Sequence, residues 1–218
     1  MRINDPQLPA KGCVIWMHGL GADASDMQGL ATQPPIAALP LRHVFLDAPV
    51  KSITLNGGML MRAWYDITGM DLTNREDKVG ISQSSKYIND VINTQLSAGF
   101  KANQIFLAGF SQGAAMALYT AVNNELPLAG IIFLSGYLPL SADCTAMLAK
   151  ETPIFLASGK YDPVVLPAWT HLSQEWLTAN GYNQITTRQY PMEHSICAEE
   201  IIDIATWLKP IVEGVKAV

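Results

Sequence analysis

The sequence predicts an α/β architecture: a mostly parallel sheet covered by helices on both faces. Three observations point there. Short apolar runs take turns with stretches of helical period along the whole chain. The runs are nearly continuous rather than alternating, as strands buried on both faces should be. Each run ends in a short loop carrying Gly, Ser, Asp or His. At 218 residues one domain over 1–218 is expected, and 49% hydrophobic residues can fill a sizeable core.

The elements follow in order. Cys13-Val14-Ile15-Trp16-Met17 is a buried strand, ending in the glycine-rich loop His18-Gly19-Leu20-Gly21-Ala22-Asp23. A short helix from about Ser25 stops before Pro34-Pro35, because proline disfavours helical backbone in the residue before it. Val44-Phe45-Leu46 is the next strand, ending at Asp47. Residues 50–78 show no clear period and are expected to cross the top of the sheet, with one short strand at 61–65. Ile88, Val91, Ile92 and Leu96 form one helical stripe, which Gly99 ends. Strands follow at 104–108, 131–134, 154–157 and 185–190. Between and after them lie helices to about Asn124, near 166–180 with Trp169, Leu172 and Trp176 on one face, and about 196–208. In such sheets ligands sit outside the carboxyl ends of the strands. His18, Asp47, Ser111, Asp162 and His194 all fall there.

Gly109-Phe110-Ser111-Gln112-Gly113 stands between an apolar strand and a helix rich in small residues. Strand, tight turn, helix is the setting that makes G-x-S-x-G a nucleophile elbow. The competing reading is that Ser111 only caps a helix. A serine hydroxyl needs an adjacent base, and the base needs an acid to orient it. Two histidines follow Ser111. His171 lies inside a predicted helix, whereas His194 follows the last strand and is the better placed base. Between Ser111 and His194, Asp143 sits well past its strand, while Asp162 directly follows one, before Pro163. Ser111, Asp162 and His194 then stand in the order of the α/β-hydrolases, and the N–H groups of Leu20 and Gln112 are the expected oxyanion donors. His18 is expected to brace the glycine loop.

Other classes are less well supported. Gly19-Leu20-Gly21-Ala22-Asp23-Ala24 also fits a dinucleotide fingerprint, with Asp47 as the ribose acid. That reading leaves the elbow, Asp162 and His194 without a purpose. A non-catalytic binding protein on the same scaffold has no need of all three residues. A net charge of −5 without a Lys/Arg cluster argues against nucleic acid. No apolar run approaches the roughly 20 residues that span a bilayer, and the N-terminus lacks a signal-peptide core. Cys13, Cys144 and Cys197, at unrelated spacings, suit a reducing cytoplasm and suggest neither a disulfide framework nor a metal site.

His18-Gly19-Leu20-Gly21-Ala22-Asp23, Arg62-Ala63-Trp64-Tyr65-Asp66-Ile67, Gly109-Phe110-Ser111-Gln112-Gly113, Tyr161-Asp162-Pro163-Val164 and Met192-Glu193-His194-Ser195 together resemble the motifs of the phospholipase/carboxylesterase family, in that family's order. The family includes acyl-protein thioesterases and bacterial carboxylesterases. The likeness runs from about Val14 to Leu208; Ala114 stands where many members have a further glycine. The resemblance implies the α/β-hydrolase fold and a cofactor-free, metal-free serine hydrolase of carboxylic esters, including lysophospholipids and S-acyl thioesters. It implies Ser111, Asp162 and His194 as the triad, Leu20 and Gln112 as the oxyanion hole, and an acyl groove lined by the stretch around Trp64. Read physically, Met59, Leu60, Met61 and Trp64 form an apolar cluster that suits such a groove, and the competing reading is ordinary core under a loop. The expected partners are a small-molecule or lipid ester and an acylated protein. Family members often pair, and the apolar loop near 59–67 is open to a second copy as well as to a substrate, so the oligomeric state stays open.

Overall fold

The computed structural model describes residues 1–72 and 74–214. Nine strands and six α-helices of four residues or more occur among them. They are β1 (Arg2–Asn4), β2 (Gly12–Met17), α1 (Ala24–Ala31), α2 (Pro34–Ala37), β3 (Leu41–Leu46), β4 (Val50–Ile53), β5 (Met59–Arg62), α3 (Lys78–Ser97), β6 (Ile105–Phe110), α4 (Gln112–Val122), β7 (Gly130–Leu134), β8 (Ile154–Gly159), α5 (Pro167–Ala179), β9 (Ile185–Tyr190) and α6 (Ala198–Glu213).

Seven strands form one sheet in the order β1-β3-β2-β6-β7-β8-β9. All its pairings are parallel except β1 with β3. The predicted continuous runs are its centre: β2, β7 and β8 are buried at every residue. One core layer packs α3, α4 and α5 against Ile15, Leu107, Phe133 and Leu156. The other packs α1, α2 and α6 against Trp16, Phe45, Ala108 and Phe155. The strand order reverses direction between β2 and β6, and crevices open at such points. The glycine loop after β2 and the elbow after β6 therefore emerge side by side.

Several elements depart from expectation. β1 is an antiparallel edge strand too short to show a period. Residues 50–62 form a separate two-stranded hairpin, β4 with β5, turning at Gly57-Gly58. The strand expected at 61–65 ends at Arg62, and Ala63, Trp64 and Tyr65 continue inward, buried. The hairpin leaves Val50, Met59 and Leu60 exposed, so its apolar residues carry no core-facing alternation to read. Pro34 begins a further helical turn, since its missing N–H costs nothing at a first helical position. On α5 the inner face is Thr170, Ser173 and Leu177, with Trp169 and Trp176 partly buried at its sides, and Leu172 is exposed. α6 continues past 208 through Pro210.

The α6 layer also buries a carboxyl group. Glu200 is fully enclosed, and among the described residues neither oxygen has a hydrogen-bond partner of good geometry. Burial pushes its carboxyl up to about 8, with the Cys197 backbone opposing and Asp203 reinforcing the shift. A raised carboxyl binds its proton in the fold where the unfolded chain has released it, so stability falls as pH rises from about 4.5 towards 8. Glu200→Gln is expected to remove that decline. Urea unfolding should show the variant gaining on the order of 3 kcal/mol over the wild type between pH 5 and pH 8, with little difference near pH 4.5. Parallel pH profiles would place a charged Glu200 in the native state.

Candidate active site

The elbow is built by close approach. A Cβ on Gly113 would lie 2.1 Å from the Met17 carbonyl oxygen, and one on Gly109 would lie 2.3 Å from the Gly113 backbone. Only glycine at both positions lets α4 start directly against the ends of β2 and β6. The turn forces Ser111 to φ 57°, ψ −121°, a strained backbone that non-glycine residues rarely adopt. Its carbonyl accepts the Ala115 N–H and so opens the helix, but its hydroxyl makes no capping bond. The Oγ instead meets His194 Nε2 at 2.9 Å. The capping reading of Ser111 therefore does not describe this side chain.

His194 and Asp162 come from neighbouring loops after β9 and β8. Backbone bonds tie those loops: Lys160 N–H donates to Tyr190 O at 2.7 Å and Tyr161 N–H to Met192 O at 3.0 Å. Gly159 permits this, since a Cβ there would lie 2.4 Å from the Glu193 carbonyl oxygen. His194 Nδ1 then reaches Asp162 Oδ2 at 2.6 Å. The other carboxyl oxygen, Oδ1, accepts the N–H groups of Val164 and Val165 at 2.8 and 2.9 Å. The Asp162 side chain is wholly buried and that of His194 is 17% exposed, which leaves the imidazole edge open towards the serine. Phe110 packs on the imidazole with ring centroids 4.7 Å apart.

The glycine loop faces the elbow. Gly21 N–H donates to Arg62 O at 2.9 Å. His18 Nε2 accepts the Ala48 N–H at 3.0 Å, so Nδ1 carries the proton and donates to Gly19 O at 2.7 Å. Burial lowers the His18 pKa and keeps the ring in this neutral, bracing form. Among the described residues the Leu20 and Gln112 N–H groups have no protein acceptor, as oxyanion donors require. Asp47 is engaged elsewhere: it accepts the Ala24 N–H at 3.1 Å and pairs with the N-terminus and Arg62.

The remaining candidates sit apart. His171 is on the surface of α5, facing Glu175, and Asp143 pairs with Lys78. Trp64 is fully buried. Its indole N–H needs an acceptor in that setting and finds His18 O at 2.9 Å, so the ring is a strut under the glycine loop and lines no groove. Met59 and Met61 lie on the β4–β5 hairpin and do not reach the cavity walls at Ser111. The apolar cavity lies elsewhere. It has a volume of about 440 Å³ and runs from Ser111 between Ile67, Leu72, Tyr137, Val165 and Trp169. These residues come from three separate loops and one helix, so no stretch of sequence spells them together. A second role that sequence reading missed is the Gln112 side chain. Buried, it accepts the Trp64 N–H and donates to the Tyr65 carbonyl, both at 2.8 Å, clamping the elbow to residues 64–65.

Comparison with known proteins places these features in context. The sequence model of the phospholipase/carboxylesterase family matches residues 1–212. An acyl-protein thioesterase 1 of Neurospora crassa is 37% identical over 209 residues, covering 89% of this chain and 84% of that protein. One from Yarrowia lipolytica is 35% identical over 216 residues, covering 93% and 95%. Among solved structures, Zea mays acyl-protein thioesterase 2 superposes with a TM-score of 0.85 at 28% identity, covering 97% of this chain and 98% of that one.

Proposed function

Because the chain belongs to the phospholipase/carboxylesterase family and is a serine hydrolase of carboxylic esters and thioesters, we propose that Ser111, His194 and Asp162 perform its chemistry. The observation that carries this reading is the unbroken relay from Ser111 Oγ through His194 to Asp162, at 2.9 and 2.6 Å. His194 Nε2 takes the hydroxyl proton as Oγ attacks the acyl carbonyl. Asp162 holds the proton on Nδ1 and stabilises the imidazolium. The Leu20 and Gln112 N–H groups receive the oxyanion; one such donor is worth about 3–4 kcal/mol in comparable sites. The protonated His194 returns its proton to the departing alcohol or thiol. Water, activated by His194, then releases the acid.

The acyl chain is assigned to the apolar cavity of about 440 Å³, where Leu72, Tyr137 and Trp169 would bury it. Short- to medium-chain esters and S-acyl thioesters share this acyl arm. An acylated protein is the substrate that the names of the fungal relatives suggest. No helix among the described residues is long and apolar enough to cross a membrane. The three cysteines are unpaired, which suits a reducing compartment such as the cytoplasm.

Hydrolysis of p-nitrophenyl esters of increasing chain length tests the assignment. Turnover is expected to rise with chain length to a maximum set by the cavity, and narrowing the cavity with Val165→Phe should move that maximum to shorter chains. A chain-length profile that ignores Val165→Phe would remove the acyl chain from this cavity.

A further inference from the structure

We propose that a second cavity at Ser111, on the α1 side, holds the leaving alcohol or thiol of the substrate and accepts a bulky apolar group without negative charge. The proposal rests on the Ser111–His194–Asp162 reading above. This cavity has a volume of about 550 Å³. Met27, Gly29 and Leu30 of α1 form one wall, and Phe110, Ile196 and Ile201 form the other. Ser111, Leu20 and Val164 line both cavities, so the two meet at the attacking oxygen.

The chemistry decides which arm of the substrate enters which cavity. An ester has two arms diverging from its carbonyl carbon. When the tetrahedral intermediate collapses, the bond from that carbon to the leaving oxygen or sulfur breaks. The electron pair goes to the leaving atom, which takes the proton from His194 Nε2, and the acyl group stays as an ester on Ser111 Oγ. The leaving atom must therefore lie within hydrogen-bond reach of His194. His194 lines the α1-side cavity and does not line the other. The leaving arm thus belongs on the α1 side and the acyl arm opposite.

The wall chemistry limits what that arm can be. It is mainly apolar, with Gln33 and Ser195 as neutral polar groups. Besides His194 its ionisable group is Asp26, exposed in the first turn of α1, and among the described residues no Lys or Arg lines it. An anionic leaving group would meet a carboxylate with no cation to offset it. An apolar one gains by burial.

The test uses butyrate esters that differ in the alcohol alone: methyl, benzyl and 4-carboxybenzyl. The variant is Gly29→Phe. Gly29 lines the cavity, and a Cβ there meets nothing within 4 Å, so the position has room for a bulky side chain at the cavity wall. The wild type should prefer benzyl to methyl by about tenfold in kcat/KM, and benzyl to 4-carboxybenzyl by a similar factor. Gly29→Phe should reduce the benzyl-to-methyl ratio about tenfold, while the ratio of methyl octanoate to methyl butyrate holds. A variant that shifts the octanoate ratio and spares the benzyl ratio would reverse the assignment. A wild type indifferent to the alcohol would overturn it without recourse to any variant. Failure of the underlying triad looks different: a fluorophosphonate would then leave wild-type Ser111 unlabelled.

Discussion

Ser111→Ala is expected to lower kcat about 10⁶-fold, the scale seen when a nucleophile is removed from a triad that acts as a unit. The fold should survive. Among the described residues the Ser111 hydroxyl bonds only His194, and alanine meets the positive φ of 57° with the same Cβ that serine carries. The strand before it and α4 behind it are held by other contacts, including Ser111 N–H to Leu134 O at 2.9 Å, which alanine keeps. Circular dichroism should match the wild type while p-nitrophenyl butyrate turnover and fluorophosphonate labelling disappear together. Turnover within tenfold of the wild type, in a folded Ser111→Ala protein, would sink the assignment of this residue as nucleophile.

Asp162→Asn should cost about 10⁴-fold in kcat, the scale known where the acid of such a triad becomes an amide. The geometry explains why so small a change should weigh so much. Asp162 Oδ1 accepts two backbone N–H groups, from Val164 and Val165. An asparagine must keep its carbonyl oxygen there, because an NH₂ group cannot accept either bond. Its NH₂ is then turned towards His194 Nδ1 and donates to it. Nδ1 becomes an acceptor, the ring proton moves to Nε2, and Nε2 can no longer take the proton of Ser111. Fluorophosphonate labelling should slow with kcat, while KM for a short ester should stay within a fewfold, because neither cavity is lined by Asp162. A nitrogen-15 spectrum of the imidazole should show protonated Nε2 in the variant. A variant with protonated Nδ1 and unchanged turnover would show that Asp162 does not set the tautomer.

Much of this was legible in the amino-acid order. β2, β7 and β8 are buried on both faces, and a strand so placed must be apolar throughout, so its run declares it. Ser111, Asp162 and His194 each follow a strand within four residues, and a parallel sheet delivers every such position to one edge. His18 was legible as a brace because it directly precedes the glycines. The hairpin of residues 50–62 was not legible, since its apolar side chains face outward and follow no period set by a core. Leu172 misled because helical spacing records which residues share a face, not whether anything covers it.

The sequence by itself determined the sheet, the elbow and the order of the three triad candidates, because each is local: a few adjacent residues and the backbone they permit. Tertiary structure alone decided where the cavities at Ser111 lie. Trp64 reads as a cavity residue until its indole N–H is seen bonded to His18 O, turning the ring inward. The cavities draw their walls from Ile67, Tyr137 and Trp169 on one side and Met27, Leu30 and Ile201 on the other. Those residues are far apart along the chain, and empty space between them exists only once every element has packed.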